Sequence, residues 1–220
     1  MIKSSFQYGL ATVVLSAAML LACVPASAGF ITGVTTTSSM GTEPTYYDLA
    51  DLTNEEGLSS SSTSATHSTN YDDMWLSVHT QDSGSLTFDL GGSYSLANIA
   101  IWNYNHGTGK LGRGVESFSI ESSTDGVTFG SVLGSTGLAK AGGTAAEPSQ
   151  IFSLGGVTAS YVRMNILDYH YNEGDGYVGL SEVQFSAVPV PEPSSIAMFG
   201  IGALGLFGYS RRRRQTSAAA

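Results

Sequence analysis

Ser85-Leu86-Thr87-Phe88-Asp89-Leu90-Gly91 is the stretch that decides the fold. Leu86, Phe88 and Leu90 recur at every second position with polar residues between them, the pattern of a strand with one buried face. Working outward, the same alternation returns at Ile99 and Ile101, at Phe118 and Ile120, and at Phe152 and Leu154. It returns again at Val162, Met164 and Ile166, and finally at Val183 and Phe185. Gly91-Gly92, Asp125-Gly126, Gly142-Gly143, Gly155-Gly156 and Gly174-Asp175-Gly176 lie between these runs and are expected as turns. No sustained helical period and no internal repeat interrupts the series, so the chain reads as all-β, an antiparallel β-sandwich or barrel. Upstream, Leu58 to Thr69 is nearly all Ser and Thr, a composition that favours a loop folded against the domain over a linker.

Both ends of the chain read differently. Lys3 opens a short polar start, an apolar run extends from Leu10 to Val24, and Ala26-Ser27-Ala28 follows. That order is a secretory signal peptide over residues 1–28, a short helix with cleavage expected after Ala28. A competing exported reading takes Leu20-Leu21-Ala22-Cys23 as a lipobox with Cys23 lipidated. Cys23 is the only cysteine, so cleavage at Ala28 leaves a domain that no disulfide can staple. Residues 29–187 then form one domain, long enough to bury a core of its own. Residues 188–220 begin with the proline-rich Val188-Pro189-Val190-Pro191-Glu192-Pro193, continue into an apolar stretch over 196–209, and close with Arg211, Arg212, Arg213 and Arg214. A short hydrophobic helix over 196–209 would span about 21 Å, less than the roughly 30 Å of a bilayer core. The arginines would stay cytoplasmic and leave the domain outside.

Pro191-Glu192-Pro193, the Gly-rich apolar segment and the terminal arginines together resemble a PEP-CTERM sorting segment. The resemblance implies processing by an exosortase-type membrane protease in an exopolysaccharide-producing Gram-negative bacterium. It also implies transient inner-membrane insertion, with a transient or retained C-terminal anchor and a cell-surface or matrix location. An ordinary tail anchor is the alternative.

Residues 29–187 carry four basic residues, Lys110, Arg113, Lys140 and Arg163, against seventeen acidic ones, a formal charge of −13. Such a surface repels phosphate backbones and anionic lipid, which excludes nucleic acid as a partner and favours cations and neutral polymers.

Within the domain, Trp75, then Ser85 to Gly91, Leu96 to Ile101, Phe118 to Gly126 with Phe129, Tyr161-Val162-Arg163-Met164 and Leu180-Ser181-Glu182-Val183 resemble, in order and spacing, the discoidin or coagulation factor 5/8 C-domain superfamily. The resemblance implies a galactose-binding-like jelly roll and one structural Ca2+ near the chain ends. Glu182 matches the family's glutamate in the last strand, and Asn54, Glu55 and Glu56 from an early loop are the expected companions, because a hard cation takes many oxygen ligands. The Asp-Gly turn usual before the tryptophan is replaced here by Asn54-Glu55-Glu56-Gly57.

Two segments that follow strands offer the residue types a sugar needs, an apolar ring face with hydrogen-bonding groups around it. The first is Trp102, Asn103, Tyr104, Asn105 and His106, with Arg113 close behind; the second is Asp168, Tyr169, His170 and Tyr171. Trp102 is also in phase with Ala100, which equally suits a core position. Asp168 to Gly176 is not an EF-hand, since Glu173 stands where that loop needs glycine. No nucleophile elbow, His-Glu-x-x-His, phosphate loop or reactive cysteine is present, and the adjacent carboxylates Asp72-Asp73 and Glu55-Glu56 would point apart in a strand. The expected function is therefore a non-enzymatic, surface-sorted module that binds carbohydrate or exopolysaccharide. A structural or adhesive matrix protein without a ligand pocket is the alternative.

Overall fold

The computed structural model describes residues 29–107, 109–170 and 176–189. The expected signal helix, Ala28, Cys23, the 196–209 helix, the Pro-Glu-Pro motif, the four arginines and Tyr171 lie outside the described residues. Among the described residues ten strands follow one another: Gly29–Phe30 (β1), Thr35–Ser38 (β2), Thr66–His67 (β3), Trp75–Leu76 (β4), Gly84–Asn103 (β5), Val115–Ser123 (β6), Gly130–Gly137 (β7), Glu147–Pro148 (β8), Gln150–Tyr169 (β9) and Gly179–Pro189 (β10). Eight belong to one sheet ordered β1-β10-β5-β9-β6-β7, with β2 also on β5 and β4 also on β10; β3 and β8 form a separate two-stranded ribbon.

That single sheet folds over on itself. The first half of β5 pairs with β2 and with the second half of β9, while its second half pairs with β10 and with the first half of β9. The long strands β5 and β9 thus pass from one layer of the sandwich to the other. Gly91-Gly92 and Gly155-Gly156, expected as turns between strands, are instead the corners within β5 and β9. Gly91, Gly155 and Gly156 have φ of 70°, 67° and 76°, left-handed values that allow a strand to bend sharply without a Cβ penalty. The pairing register slips between Asp89 and Tyr94 at this bend.

The alternation read from the sequence becomes the core between the two layers. Leu86, Phe88, Ile99, Ile101, Phe118, Ile120, Val162, Met164, Val183 and Phe185 are fully buried. Phe88 of one layer meets Phe185 of the other edge to face at 5.2 Å, and Phe118 meets Phe152 at 5.1 Å. The opposite face of β10 and β5 is covered too. Trp102 lies opposite Glu182 and Ala100 opposite Gln184 in the register, and Ala65, Leu58 and Phe30 pack over Ala100 and Trp102. The Ser/Thr-rich stretch thus folds against the domain and roofs this face, mostly as a loop, with Thr66–His67 paired to β8 in the small ribbon.

Candidate functional site

At one end of the sandwich, strands β5 and β10 meet the loops that follow β2, β4 and the short 3-10 turn Leu111–Arg113. Asn103 and Asn105 anchor this end. Asn103 accepts hydrogen bonds at Oδ1 from the amides of Tyr104 and Val115, both 2.9 Å, and donates through Nδ2 to the carbonyls of Val115 and Ala139. Asn105 donates through Nδ2 to the carbonyls of Ser68 (3.0 Å) and Thr144 (2.7 Å) and accepts from the Gly143 amide. Both side chains are buried and fully engaged, so they latch loops together and present nothing to a ligand.

Trp102 and Tyr104 do not supply open platforms either. Trp102 is completely buried, with Nε1 donating to the Ala65 carbonyl at 3.0 Å under the Ser/Thr loop. Its phase with Ala100 places it on the roofed face, the core alternative that the sequence left open. Tyr104 is buried as well; its hydroxyl lies 2.7 Å from that of Tyr47. Burial and that neighbour push the Tyr104 phenol far above its ordinary range. Tyr169 is buried in the main core. Asp168 is exposed but accepts from the Tyr169 amide, and His170 holds the Leu138 carbonyl through Nε2 at 2.8 Å.

Rings do gather at this end, although most belong to residues outside the predicted set. Tyr46, 61% exposed, stands edge-on to Tyr71 at 5.7 Å. Tyr71 continues to His106 at 5.0 Å and to Tyr47 at 6.3 Å. Arg113 stacks its guanidinium 4.8 Å from the centroid of the Tyr177 ring, and His79 meets the same ring at 5.1 Å. Of the predicted residues, His106 and Arg113 share this surface. Burial, with Arg113 and Lys110 nearby, lowers the pKa of His106 and favours the neutral imidazole, whose Nδ1 is buried without a partner. The sequence signals for the missed residues were slight: a Tyr46-Tyr47 pair after Pro44, Tyr71 after Asn70, and Tyr177 beside Gly176.

The second cluster lies beside the roofed face. Glu182 is fully buried; Oε1 accepts from the Glu55 amide at 3.3 Å and from Gln184, while Oε2 has no partner. Burial pushes its carboxyl up to about 8, and the nearby Glu55 and Asp51 carboxylates add to the effect. Asp51, not foreseen from the sequence, is buried and raised in the same direction while accepting from Asn54 and from the Asp48 amide. Asn54 and Glu56 have exposed side chains, and the Glu56 amide donates to Asn54 Oδ1. Glu55 adopts a left-handed φ of 66°, which aims its amide at Glu182. Among the described residues no three His, Cys, Asp or Glu side chains form a metal centre by themselves. A calcium ion fits the donor chemistry here only if carbonyl oxygens of the loop join Glu182 and Asp51. An orphaned buried carboxylate oxygen is the feature that such an ion would satisfy. A cleft of about 310 Å³ borders this loop, lined in part by Thr32, Thr53, Asn54 and Glu55.

The antiparallel sheet, folded into two layers through the bent strands β5 and β9, is a jelly-roll sandwich of the galactose-binding-like class. The F5/8 type C domain model matches residues 35–183, and the chain belongs to that family. A PEP-CTERM protein-sorting motif matches residues 189–214, which marks an exported chain with a C-terminal anchor and surface display. Among solved structures, CBM32-3 from a family 31 glycoside hydrolase of Clostridium perfringens is 17% identical with a TM-score of 0.52, covering 70% of this chain and 91% of its own. CBM32-1 of a family 31 glycoside hydrolase from the same organism is 14% identical with a TM-score of 0.49, over 72% and 96%. A family 89 glycoside hydrolase from Clostridium perfringens, in complex with 2-acetamido-1,2-dideoxynojirmycin, is 20% identical with a TM-score of 0.46. It covers 74% of this chain, which spans only 15% of that enzyme's length. No curated protein matches the chain.

Proposed function

We propose that this chain is a non-catalytic module that binds carbohydrate or exopolysaccharide at the surface or in the matrix of a Gram-negative bacterium, after sorting by an exosortase-type protease. The observation that carries this reading is the ring cluster of Tyr46, Tyr71 and Tyr177 with Arg113 and His106, gathered at the loop end with Tyr46 open to solvent. An exposed ring offers the C–H face of a pyranose an apolar contact, and the His106 imidazole, one ring away across Tyr71, and the Arg113 guanidinium on Tyr177 would supply hydrogen bonds to hydroxyls. The latches at Asn103 and Asn105 support the surface by fixing the loops that carry it, so less ordering entropy is lost on binding. Membership of the family and the fold match to a carbohydrate-binding module agree with this use, although the scaffold alone does not dictate a ligand.

One structural calcium is the second part of the proposal. Glu182 and Asp51, with Asn54 and carbonyls of the 50–56 loop, would hold it. The ion would supply positive charge against Glu182, Asp51 and Glu55 and tie that loop to β10. The Glu55 and Glu56 side chains have weaker claims than Asp51, since Glu55 reaches Glu182 through its backbone amide and Glu56 is exposed.

A glycan and exopolysaccharide screen tests the binding reading, comparing the chain with its Tyr46→Ala and Arg113→Gln variants with and without calcium. Binding that both variants lose at unchanged melting temperature supports it. Binding that survives both refutes the site, and no binding to any polymer refutes the function.

A further inference from the structure

We infer that the aromatic end faces away from the membrane that holds the chain, so that it meets saccharide presented by the surrounding matrix or another cell and not glycolipid of the bearing membrane. The nature of the ligand rests on the carbohydrate reading above; the orientation does not.

The argument starts from the two ends of the domain. Gly29 pairs with Ala187 and Phe30 with Ser186, and the Ile31 amide donates to the Phe185 carbonyl at 3.0 Å. The first residue after the expected cleavage site and the last turn of sheet before the sorting motif are therefore neighbours. An anchor built from residues 196–209, a lipid on Cys23 or an uncleaved 10–24 segment would each hold the domain by the same end. The orientation follows from the fold whichever of them applies.

Strand β10 then runs from that end to the other. Pro189 pairs with Tyr94 and Leu180 with Asn103, and Leu180 also pairs with Trp75. Nine residue steps at about 3.3 Å place Leu180 about 30 Å from Pro189. Tyr177 and Tyr104, which lead into the ring cluster, stand at the Leu180 end, where Gly179 bridges to Gly114 just after Arg113. The tether at the opposite end is short. Only residues 190–195 separate Pro189 from the apolar stretch, seven Cα steps that reach at most about 25 Å even when fully extended. A tether shorter than the domain is long keeps the near end against the bilayer and the aromatic end projected outward.

Energy transfer to the membrane tests this on the full chain. In a Cys23→Ser background, single donor dyes are placed by Ser93→Cys or Thr158→Cys at the anchored end, and by Tyr46→Cys or Asp82→Cys at the aromatic end; all four positions are exposed. The proteins are reconstituted into phosphatidylcholine vesicles carrying a rhodamine-labelled phosphatidylethanolamine acceptor. Several-fold stronger transfer from Ser93 and Thr158 than from Tyr46 and Asp82 is the expected result. Equal transfer from both ends, or stronger transfer from Tyr46 and Asp82, overturns the inference and puts membrane glycolipid within reach. No saccharide enters the experiment, so a failed glycan screen leaves its outcome intact.

Discussion

Replacing Glu182 by Gln separates the electrostatic role of this residue from its packing. Without calcium, the folded chain holds the Glu182 carboxyl at about 8 against an ordinary 4.5, chiefly through burial. The raised value means that the folded state keeps a proton which the unfolded state has already released, so stability falls as pH rises from 4.5 through 8. The penalty is absent below pH 4.5 and fully present above pH 8. The shift corresponds to about 5 kcal/mol at 1.36 kcal/mol per unit, or about 10–20 °C in melting temperature for a domain of this length. Gln keeps an oxygen for the Glu55 amide and Gln184 and carries no charge to ionise. In a chelator, Glu182→Gln should therefore match the wild type near pH 5 and exceed it by several kcal/mol at pH 8.5, in urea or thermal unfolding. His67 and His106, whose pKa values burial lowers, tilt stability the opposite way below their ordinary 6.5; both remain in the variant, so the difference between the two proteins isolates Glu182. Calcium should erase the alkaline deficit of the wild type and do nothing for the variant. A pH-independent difference between them would refute the buried-carboxyl argument, and calcium stabilising both equally would move the metal elsewhere.

Trp102→Ala should cost about 3–5 kcal/mol in denaturant unfolding, the usual loss for a large buried ring, by opening the roof formed with Ala65 and Leu58. A loss under 1 kcal/mol would show that the roof is not load-sharing with the sandwich. Asn103→Ala removes the acceptor of the Tyr104 and Val115 amides and a donor to the Val115 carbonyl, while the Ala139 carbonyl keeps Gln150 Nε2, and should cost about 3 kcal/mol; hydrogen exchange should rise at Val115 first. Gly179→Ala would set its Cβ 2.6 Å from Tyr104 and 2.8 Å from the Trp75 carbonyl, and the backbone contact leaves no room to relax. That variant should accumulate poorly as folded protein, an outcome that a soluble-expression and melting comparison reads directly. Tyr46→Ala, by contrast, should change stability by less than about 0.5 kcal/mol while weakening saccharide binding about tenfold or more, measured by calorimetry.

Strand alternation made the sandwich legible because core residues sit at every second position within each straight half of β5 and β9 and along β6 and the middle of β10, although the phase shifts across the corners, from Leu90 to Ile99 in β5. The corners did not show, since a Gly-Gly pair permits a hairpin or a bent continuous strand equally and only the partner strand decides. The ring cluster was hidden for a related reason. Tyr46, Tyr71 and Tyr177 lie in three loops far apart in sequence, and they converge only because β4, β5 and β10 end side by side. Glu182 was readable as a last-strand carboxylate, whereas Asp51 was not, since its burial depends on the 3-10 turn Ala50–Leu52 packing on β10.

Residues 102–106 show how closely support and recognition are interleaved in this domain. Trp102 secures the roof, Asn103 and Asn105 tie four loop segments to the sheet end, Tyr104 fills the space beneath Tyr47, and His106 alone borders the surface rings. Residues 29–187 contain no cysteine, so the domain must fix its loops by other means, and buried amides with their donors and acceptors engaged do so with directional bonds. Alanine substitutions at Trp102 or Asn103 would therefore abolish binding by releasing the loops, and loss of binding there would say nothing about ligand contact. Substitutions at the exposed Tyr46 ring and at Arg113, which touch neither Asn103 nor Asn105, are the ones that separate a recognition surface from its scaffold.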